Sequence, residues 1–244
     1  MKKTLLAKNY PSLEPKSVPK TLVQKIADAK RAVKGAYKLY GNKLCIFWTG
    51  GKDSTVLMDI MRRTLGNRIV SNLPTVYIDT QLDFQDVYDF IEKMKKQWNI
   101  NLIRERTTPK EMAKYNALKK KSERVVLASL YKIILLKRAV KKYKLPAIVI
   151  GIRWDEHAER IAEKYLSPRK DHVRIHPLLP WHEKDIWAYT KKLKVPYIAL
   201  YDKGYRSLGE KEFTNQGTKE GGERSGRAKG REVIMKRLRT LGYF

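Results

Sequence analysis

Residues 43–57 read Lys-Leu-Cys-Ile-Phe-Trp-Thr-Gly-Gly-Lys-Asp-Ser-Thr-Val-Leu, and this stretch decides the predicted fold. Its apolar run 44–48 predicts a buried strand, and the apolar spacing after it predicts a helix. Asp53 and Ser54 are typical helix-capping residues, so we expect them to cap this helix. Gly50 and Gly51 let backbone N–H groups converge on an anion at the helix N-terminus. A strand, a glycine turn and a helix in this order predict a phosphate-binding loop.

The side chains around the two glycines add charge and hydrogen-bond donors. Lys52 supplies a positive charge, and the hydroxyls of Thr49 and Ser54 can donate to phosphate oxygens. The spacing is not that of the Walker A loop, because no residues separate Gly50 from the Gly-Lys pair that follows it. On these residues alone, an ordinary glycine turn between a strand and a helix stays open as the alternative.

The charge of the chain is strongly positive, with 53 Lys and Arg against 25 acidic residues and a net charge of +28. Such an excess indicates an anionic partner: a nucleotide, an RNA contacted through the basic surface, or an acidic protein. A length of 244 residues with 42% hydrophobic residues suits one α/β domain. The chain has no apolar run of about 18 residues, and its first apolar stretch is too short for a signal peptide. We therefore expect a cytoplasmic protein with no membrane contact.

Cysteine and histidine usage argues against a protein-held metal centre. The one cysteine, Cys45, lies in the predicted strand, where a core role is the expectation. A single cysteine forms neither an internal disulfide nor a cysteine-based metal site. The four histidines lack metal-ligand spacing, so we assign no metal site to protein side chains.

Two further predicted strands end in polar residues. Residues 75–80 predict a strand that ends at Asp79 and Thr80, and residues 146–150 predict a buried parallel strand leading to Arg153. In doubly wound sheets, ligands bind at the carboxyl ends of strands, which places these side chains near the phosphate loop. The guanidinium of Arg153 can bind phosphate oxygens in a forked geometry. The structural alternatives are a turn cap for Asp79 and an ion pair with nearby carboxylates for Arg153.

Composition divides the chain into three parts. Residues 1–20 contain three prolines and predict an extended lead-in. Residues 21–210 alternate predicted helices and strands and form the predicted α/β domain. Residues 211–244 are basic and in part glycine-rich, which predicts a mobile C-terminal segment. Within the domain, the polar stretch 105–124 is either a solvated face or a mobile lid.

Thr49–Ser54 resembles the Ser-Gly-Gly-Lys-Asp-Ser signature of the PP-loop ATP pyrophosphatases, with Thr in the first position. The branch that it resembles contains phosphoadenosine phosphosulfate reductases, the small subunit of sulfate adenylyltransferase and FAD synthetase. This resemblance implies one doubly wound, mostly parallel α/β sheet of the Rossmann-like, adenine nucleotide alpha hydrolase type. It also implies that ATP is bound with Mg²⁺ and cleaved between its α and β phosphates.

The resemblance also implies roles for individual residues. Gly151-Ile-Arg-Trp-Asp-Glu156 followed by Arg160 is similar to the family's Gly-x-Arg-x-Asp-Glu…Arg segment. The implied catalytic residues are Lys52, Asp53 and Arg153. The implied ATP-binding residues are Trp48, Thr49, Gly50, Gly51, Lys52, Asp53, Ser54, Asp79, Thr80, Gly151 and Arg153. The implied residues for the second substrate are Asp155, Glu156, Arg160, Arg206, Arg224 and Arg227.

The resemblance leaves several activities to choose among. A phosphosulfate reductase needs a C-terminal nucleophilic cysteine, and none follows Cys45, which disfavours that activity. Residues 223–227 and the ending Gly-Tyr-Phe244 are similar to the C-terminus of the sulfate adenylyltransferase small subunit. We therefore expect adenylylation of sulfate, with a GTPase subunit as a possible partner.

Two other functions stay open. Residues 201–209 are similar to a segment of FAD synthetase, which implies FMN as the acceptor instead of sulfate. A protein that modifies or binds nucleic acid would use the +28 charge on the phosphate backbone. Association of the chain with a second copy of itself is also open, because the sequence does not define an oligomeric state.

Overall fold

The computed structural model describes residues 21–157, 160–218 and 221–228. The predicted lead-in, residues 1–20, and the end of the predicted mobile segment, residues 229–244, lie outside these ranges. The strands are β1 (Leu44–Phe47), β2 (Thr75–Asp79), β3 (Leu102–Arg106), β4 (Ala147–Ile150), β5 (Leu166–Pro168) and β6 (Val173–Ile175). They form one sheet in the order β3-β2-β1-β4-β6-β5, in which only β5 is antiparallel to its neighbour. The predicted single, mostly parallel α/β sheet is confirmed.

The central strands are buried along almost their whole length because helices cover both faces of the sheet. Every residue of β2 is buried, and β1 and β4 are buried except at their last residue. Continuous apolar runs of this kind are typical of parallel strands. β1 pairs with β4 from Leu44 opposite Ala147 to Phe47 opposite Ile150, so the two strands end side by side. This register brings the residues that follow β1 and β4 to one edge of the sheet.

Seven helices surround the sheet in the described part of the chain. They are α1 (Leu22–Tyr40), α2 (Lys52–Leu65), α3 (Asn67–Asn72), α4 (Gln85–Gln97), α5 (Pro109–Ala117), α6 (Lys121–Lys142) and α7 (Glu183–Leu193). Thr21 and Gln24 form a capping box that starts α1, and Thr108 and Glu111 form another that starts α5. None of the described helices is both long and apolar enough to cross a membrane.

The core lies on the two faces of the sheet. On one face, apolar side chains of α1, α2, α4 and α7 pack against Ile46, Tyr77 and Val149. On the other face, α6 covers Cys45, Ile148 and their neighbours. A buried ion pair between Lys25 and Asp185, with Nζ and Oδ2 2.6 Å apart, joins α1 to α7. The sheet is thus fixed from both sides, and its carboxyl edge can hold a site.

Some local structure departs from the sequence prediction. The stretch 105–124 contains α5 and the start of α6, where the pattern indicated only a polar face or lid. Strands β5 and β6 have three residues each and carry no detectable periodicity. Residues 211–218 and 221–228 pack on the domain, with Phe213 only 2% exposed and a β-bridge between Thr214 and Arg227. The boundary at residue 210 and the mobility of the segment beyond it stay predictions.

Candidate anion-binding site

The loop between β1 and α2 has the geometry of an anion cradle. Gly50 adopts a φ of +75°, a conformation that L side chains rarely adopt, and this lets the chain turn sharply into α2. Gly51 is the N-cap residue and no side chain caps the helix, so the prediction that Asp53 and Ser54 cap it is wrong. Ser54 Oγ instead donates to Gly51 O at 2.9 Å and lies 3.1 Å from Thr49 Oγ1. These hydroxyls hold the loop closed, and the positive helix end faces its opening.

Gly151 brings the end of β4 against this loop. A Cβ atom at this position would lie 3.0 Å from Asp53 O and 3.2 Å from Ser54 Cα, both backbone atoms of the first turn of α2. Only glycine allows this approach without moving the turn. The close contact sets Arg153, two residues further on, beside Asp53.

Two cations, Lys52 and Arg153, are buried at the centre of the site, with 2% and 0% exposure. Lys52 Nζ lies 2.5 Å from Glu223 Oε1 and 3.5 Å from Asp53 Oδ2, and it donates to Arg206 O at 2.8 Å. Arg153 Nε lies 3.1 Å from Asp53 Oδ1, and its Nη2 donates to Glu223 Oε2. Arg153 Nη1 has no hydrogen-bond partner among the described residues. A buried donor without a partner marks room for a ligand acceptor.

The carboxylates keep both cations charged. Burial lowers the pKa of Lys52 and of Arg153, but Asp53 and Glu223 raise each pKa more strongly, and the balance lies above the ordinary value. Burial raises the pKa of Glu223 to about 7, against the opposing effect of Lys52. The site therefore presents two fixed positive charges in a dry environment, where an anion interacts strongly with them.

A second group of charges lies next to this pair. Burial raises the pKa of Glu156, but Arg160 and Arg153 lower it to about 2. Arg160 is paired with Glu156, and Arg224 Nη1 lies 3.6 Å from the same carboxylate. Three cations thus surround Glu156 and favour its ionised form.

A cavity of about 210 Å³ opens onto the loop and extends along the carboxyl edge of the sheet. Phe47, Ile78, Leu136 and Ile150 line it and belong to one apolar cluster. The predicted site residues that line it are Thr49, Gly51, Lys52, Asp53, Ser54, Gly151, Glu156, Arg160, Arg224 and Arg227. Sequence reasoning missed the other lining residues with charged or imidazole side chains, which are Asp83, Lys132, Glu163, Arg174, His176 and Glu223. A lining that combines an apolar cluster with cations suits a molecule with a ring and an anionic group.

The remaining predicted residues, among them Gly50 and the predicted catalytic residue Arg153, do not line the cavity. Trp48 is fully buried and donates from Nε1 to Thr55 Oγ1 at 3.1 Å, so it supports the loop from the core. Asp79 accepts from Gln81 N at 2.9 Å, which is the turn-capping contact named above as its structural alternative. It also accepts from Arg106 Nε at 2.8 Å. Thr80 is also fully buried.

Asp155 and Arg206 both contact the start of α7. Asp155 Oδ2 accepts from the backbone N–H of Glu183 at 3.1 Å, and Arg206 Nη2 donates to Glu183 Oε2 at 2.6 Å. Arg206 also holds Lys52 through its backbone carbonyl. The predicted substrate-binding roles of Asp155 and Arg206 stay predictions, as do the other assigned roles.

Cys45 takes no part in the cavity. Its side chain is fully buried under α6, and burial raises the pKa of its thiol to about 12. A protonated, buried thiol is a poor nucleophile. The core role expected for Cys45 matches this position.

A glycine turn at the carboxyl edge of a mostly parallel α/β sheet, with buried Lys52 and Arg153 beside it, is the setting expected for the PP-loop signature at Thr49–Ser54. Residues 43–216 match the model of the phosphoadenosine phosphosulfate reductase domain. The chain belongs to this family, as its signature loop predicted.

Relatives and solved structures agree with this assignment. Adenosine 5'-phosphosulfate reductase from Halalkalibacterium halodurans is 29% identical, over 82% of this chain and 86% of the relative. The enzyme of the same name from Bacillus velezensis is 30% identical, over 83% of this chain and 86% of the relative. The crystal structure of phosphoadenylyl-sulfate reductase from Candida auris superposes with a TM-score of 0.63 at 21% identity, covering 78% of this chain and 94% of that one. The crystal structure of Candida glabrata FMN adenylyltransferase in complex with FAD and pyrophosphate superposes with a TM-score of 0.64 at 19% identity. The match covers 99% of this chain and 88% of that one.

These findings correct the functional prediction. Sulfate adenylylation is wrong, because several curated relatives are named reductases of adenosine 5'-phosphosulfate and point to sulfate reduction. The FMN alternative has no support beyond the shared fold, since those structures are below 25% identity. The missing C-terminal cysteine was the reason for disfavouring a reductase. No cysteine follows Cys45 in this sequence, yet the chain matches the reductase family model, so the lack of this cysteine does not exclude the family.

Proposed function

We propose that this protein binds a sulfated adenine nucleotide of the adenosine 5'-phosphosulfate type and promotes its reductive cleavage by an external thiol. The observation that supports this most is the buried cation Lys52 in the wall of a cavity that is also lined by apolar side chains, with Arg153 buried next to it and sharing Glu223 with it. The apolar side chains suit a purine ring, and the cations suit the phosphate-sulfate anhydride. The names of the relatives supply the nucleotide class.

An external thiol is required because the chain's own thiol cannot react. Cys45 is buried under α6 and lines no part of the cavity, and the sequence contains no second cysteine. In the proposed step, a thiolate of a second molecule attacks the sulfur of the sulfate group. The sulfur–oxygen bond to the phosphate breaks, and its electron pair stays with the phosphate oxygen, which releases adenosine 5'-phosphate. A second thiol then displaces sulfite from the S-sulfo intermediate and leaves a disulfide, so the thiols are oxidised and the sulfur is reduced.

Lys52 and Arg153 have a defined task in this step. Negative charge grows on the phosphate oxygen as the bond to sulfur breaks, and two fixed cations in a dry site stabilise that charge without reorganising. Arg153 Nη1, a buried donor without a partner among the described residues, can add a hydrogen bond to the same group. No acid or base is needed, since the leaving phosphate is already anionic.

The donors present do not suit a protein-held magnesium ion. Asp53 and Glu223 are already paired with Lys52 and Arg153, and the described residues contain no group of three side chains able to hold a metal. ATP is a second ligand for the same cavity, because solved neighbours include an FMN adenylyltransferase in complex with ATP. A GTPase subunit, an RNA contact and self-association stay predictions.

The test compares nucleotide binding and turnover in matched variants. Calorimetric titration with adenosine 5'-phosphosulfate, ATP and adenosine 5'-phosphate would be done on the wild type, Lys52→Met and the surface control Lys141→Met. Loss of one charge-assisted contact of about 1.5–3 kcal/mol lowers the affinity of Lys52→Met roughly tenfold to a hundredfold. Lys141 is an exposed residue of α6, so its variant should bind like the wild type.

Turnover is followed as sulfite released from adenosine 5'-phosphosulfate with dithiothreitol, glutathione or reduced thioredoxin. Cys45→Ala should retain the wild-type rate if the thiol is external. If Lys52→Met and Lys141→Met bind the nucleotides equally well, Lys52 does not contribute to nucleotide binding and the proposed site is refuted. Tight nucleotide binding without sulfite release from any thiol refutes the reductive step and leaves a nucleotide-binding protein.

A further inference from the structure

The anion-binding site already contains an anion, and it comes from the chain itself. Glu223 reaches the site from a segment 171 residues away from Lys52 in sequence. Its Oε1 lies 2.5 Å from Lys52 Nζ, and its Oε2 accepts from Arg153 Nη2. The side chain of Glu223 is only 8% exposed, so this carboxylate is enclosed by its partners.

The two oxygens of Glu223 mark where a ligand's anionic oxygens would bind. A carboxylate and a phosphate or sulfate group both present oxygen pairs to such donors. Lys52 and Arg153 cannot neutralise both Glu223 and a ligand anion, because Asp53 also contacts each of these cations. A second anion placed beside ionised Glu223 in this buried setting would be strongly repelled. Ligand binding at these donors therefore requires the Glu223 carboxylate to be displaced or protonated.

The backbone around Glu223 is held by contacts that do not involve its side chain. Asn215 N donates to Gly226 O at 2.8 Å, and Ala228 N donates to Phe213 O at 3.1 Å. Arg206 Nη1 also donates to Gly221 O at 2.6 Å. Because these bonds anchor the segment on both sides, the Glu223 side chain can rotate out while its backbone stays in place.

We propose that Glu223 is an internal competitor that occupies the anion site until a ligand's anionic group displaces it. This inference rests on the proposed function for the identity of the ligand's anionic group. A tethered carboxylate has a high effective concentration at its cations. Because every ligand that uses these donors must displace the same carboxylate, Glu223 lowers the affinity for each of them by a similar factor. A single anion is then held too weakly to occupy the site, whereas a nucleotide with two adjacent anionic groups makes enough contacts to bind.

The probes are inorganic pyrophosphate, which carries two linked anionic groups, and inorganic sulfate, which carries one. Titrations compare the wild type with Glu223→Gln and with the control Glu212→Gln. Glu212 lies in the same C-terminal part, but its carboxylate accepts from Tyr115 and pairs with Arg124, away from the cavity. Glu223→Gln should bind pyrophosphate and sulfate each at least tenfold tighter, by a similar factor. Glu212→Gln should bind both like the wild type.

Several outcomes overturn the proposal. Weaker or unchanged pyrophosphate binding in Glu223→Gln shows that the carboxylate supports the site or has no effect on it. A thermal melt of each variant checks folding, and Glu223→Ala, which removes the side chain altogether, must change the affinity in the same direction. If pyrophosphate binding tightens but no thiol releases sulfite, the reductive function fails and the competitor role stands. If sulfite is released but Glu223→Gln binds as the wild type does, the reductive function stands and the competitor role fails.

Discussion

Replacing Gly151 with alanine tests the contact that joins β4 to the phosphate loop. The added Cβ would lie 3.0 Å from Asp53 O and 3.2 Å from both Asp53 C and Ser54 Cα. These are backbone atoms of the first turn of α2, so no side chain can rotate away to make room. Overpacking of this kind costs about 1–3 kcal/mol, and the entropy that alanine removes from the unfolded chain returns about 0.4–1 kcal/mol. We expect a net loss of about 1–2 kcal/mol in the free energy of unfolding.

For a chain of this length, that loss lowers the melting temperature by roughly 2–8 °C. The displaced turn also carries Lys52, so affinity for adenosine 5'-phosphosulfate should fall about threefold to tenfold, which is about 0.6 to 1.4 kcal/mol. Differential scanning calorimetry and titration measure the two effects. The matched control is Gly222→Ala, because a Cβ at Gly222 meets no atom within 4 Å. A Gly151→Ala protein that melts and binds like Gly222→Ala would show that the close approach does not position the loop.

Three further predictions concern charged and titratable groups. In a double-mutant cycle by urea unfolding, Lys52→Met and Glu223→Gln should show a coupling energy of about 1–3 kcal/mol, and additive costs would contradict their pairing. Burial lowers the pKa of His176 to about 4, so the folded protein loses about 3 kcal/mol of stability as the pH falls from 6.5 to 4. His176→Gln should remove most of that loss, and an unchanged slope would mean that other groups cause it. Removing one member of the buried Lys25–Asp185 pair, as in Lys25→Met, should cost about 3–5 kcal/mol by urea unfolding, and a cost below 1 kcal/mol would refute its structural importance.

The sequence was informative where the signal was local. A strand, two glycines and a helix follow one another within residues 43–57, and the same stretch forms β1, the loop and α2. Arg153 could be placed near the loop because parallel strands end at one edge of the sheet. Strands β5 and β6 were not predicted, since three residues are too few to show a period.

Contacts between distant segments could not be derived in the same way. Glu223 reaches Lys52 across 171 residues, and no spacing in the sequence indicates that pair. Lys132 of α6 pairs with Glu210 at 2.9 Å, and it reaches the cavity wall although the pattern around it is that of a surface helix. The capping prediction failed for a different reason. Asp53 and Ser54 have the residue types of caps, but the turn at Gly50 starts the helix before them.

The positive charge of the chain and the charge of its site are separate properties. Lys52 and Arg153 contact Asp53 and Glu223, and Arg160 and Arg224 contact Glu156, so each of these four cations is paired with a carboxylate. These pairs add little to the net charge of +28, most of which lies elsewhere in the chain. A charged surface acts over about a Debye length and raises the rate at which any anion arrives, without selecting among anions. A ligand that arrives must still replace a carboxylate already bound to Lys52 and Arg153, and this sets how tightly the ligand has to bind. Attraction and the affinity threshold are thus assigned to different parts of the molecule.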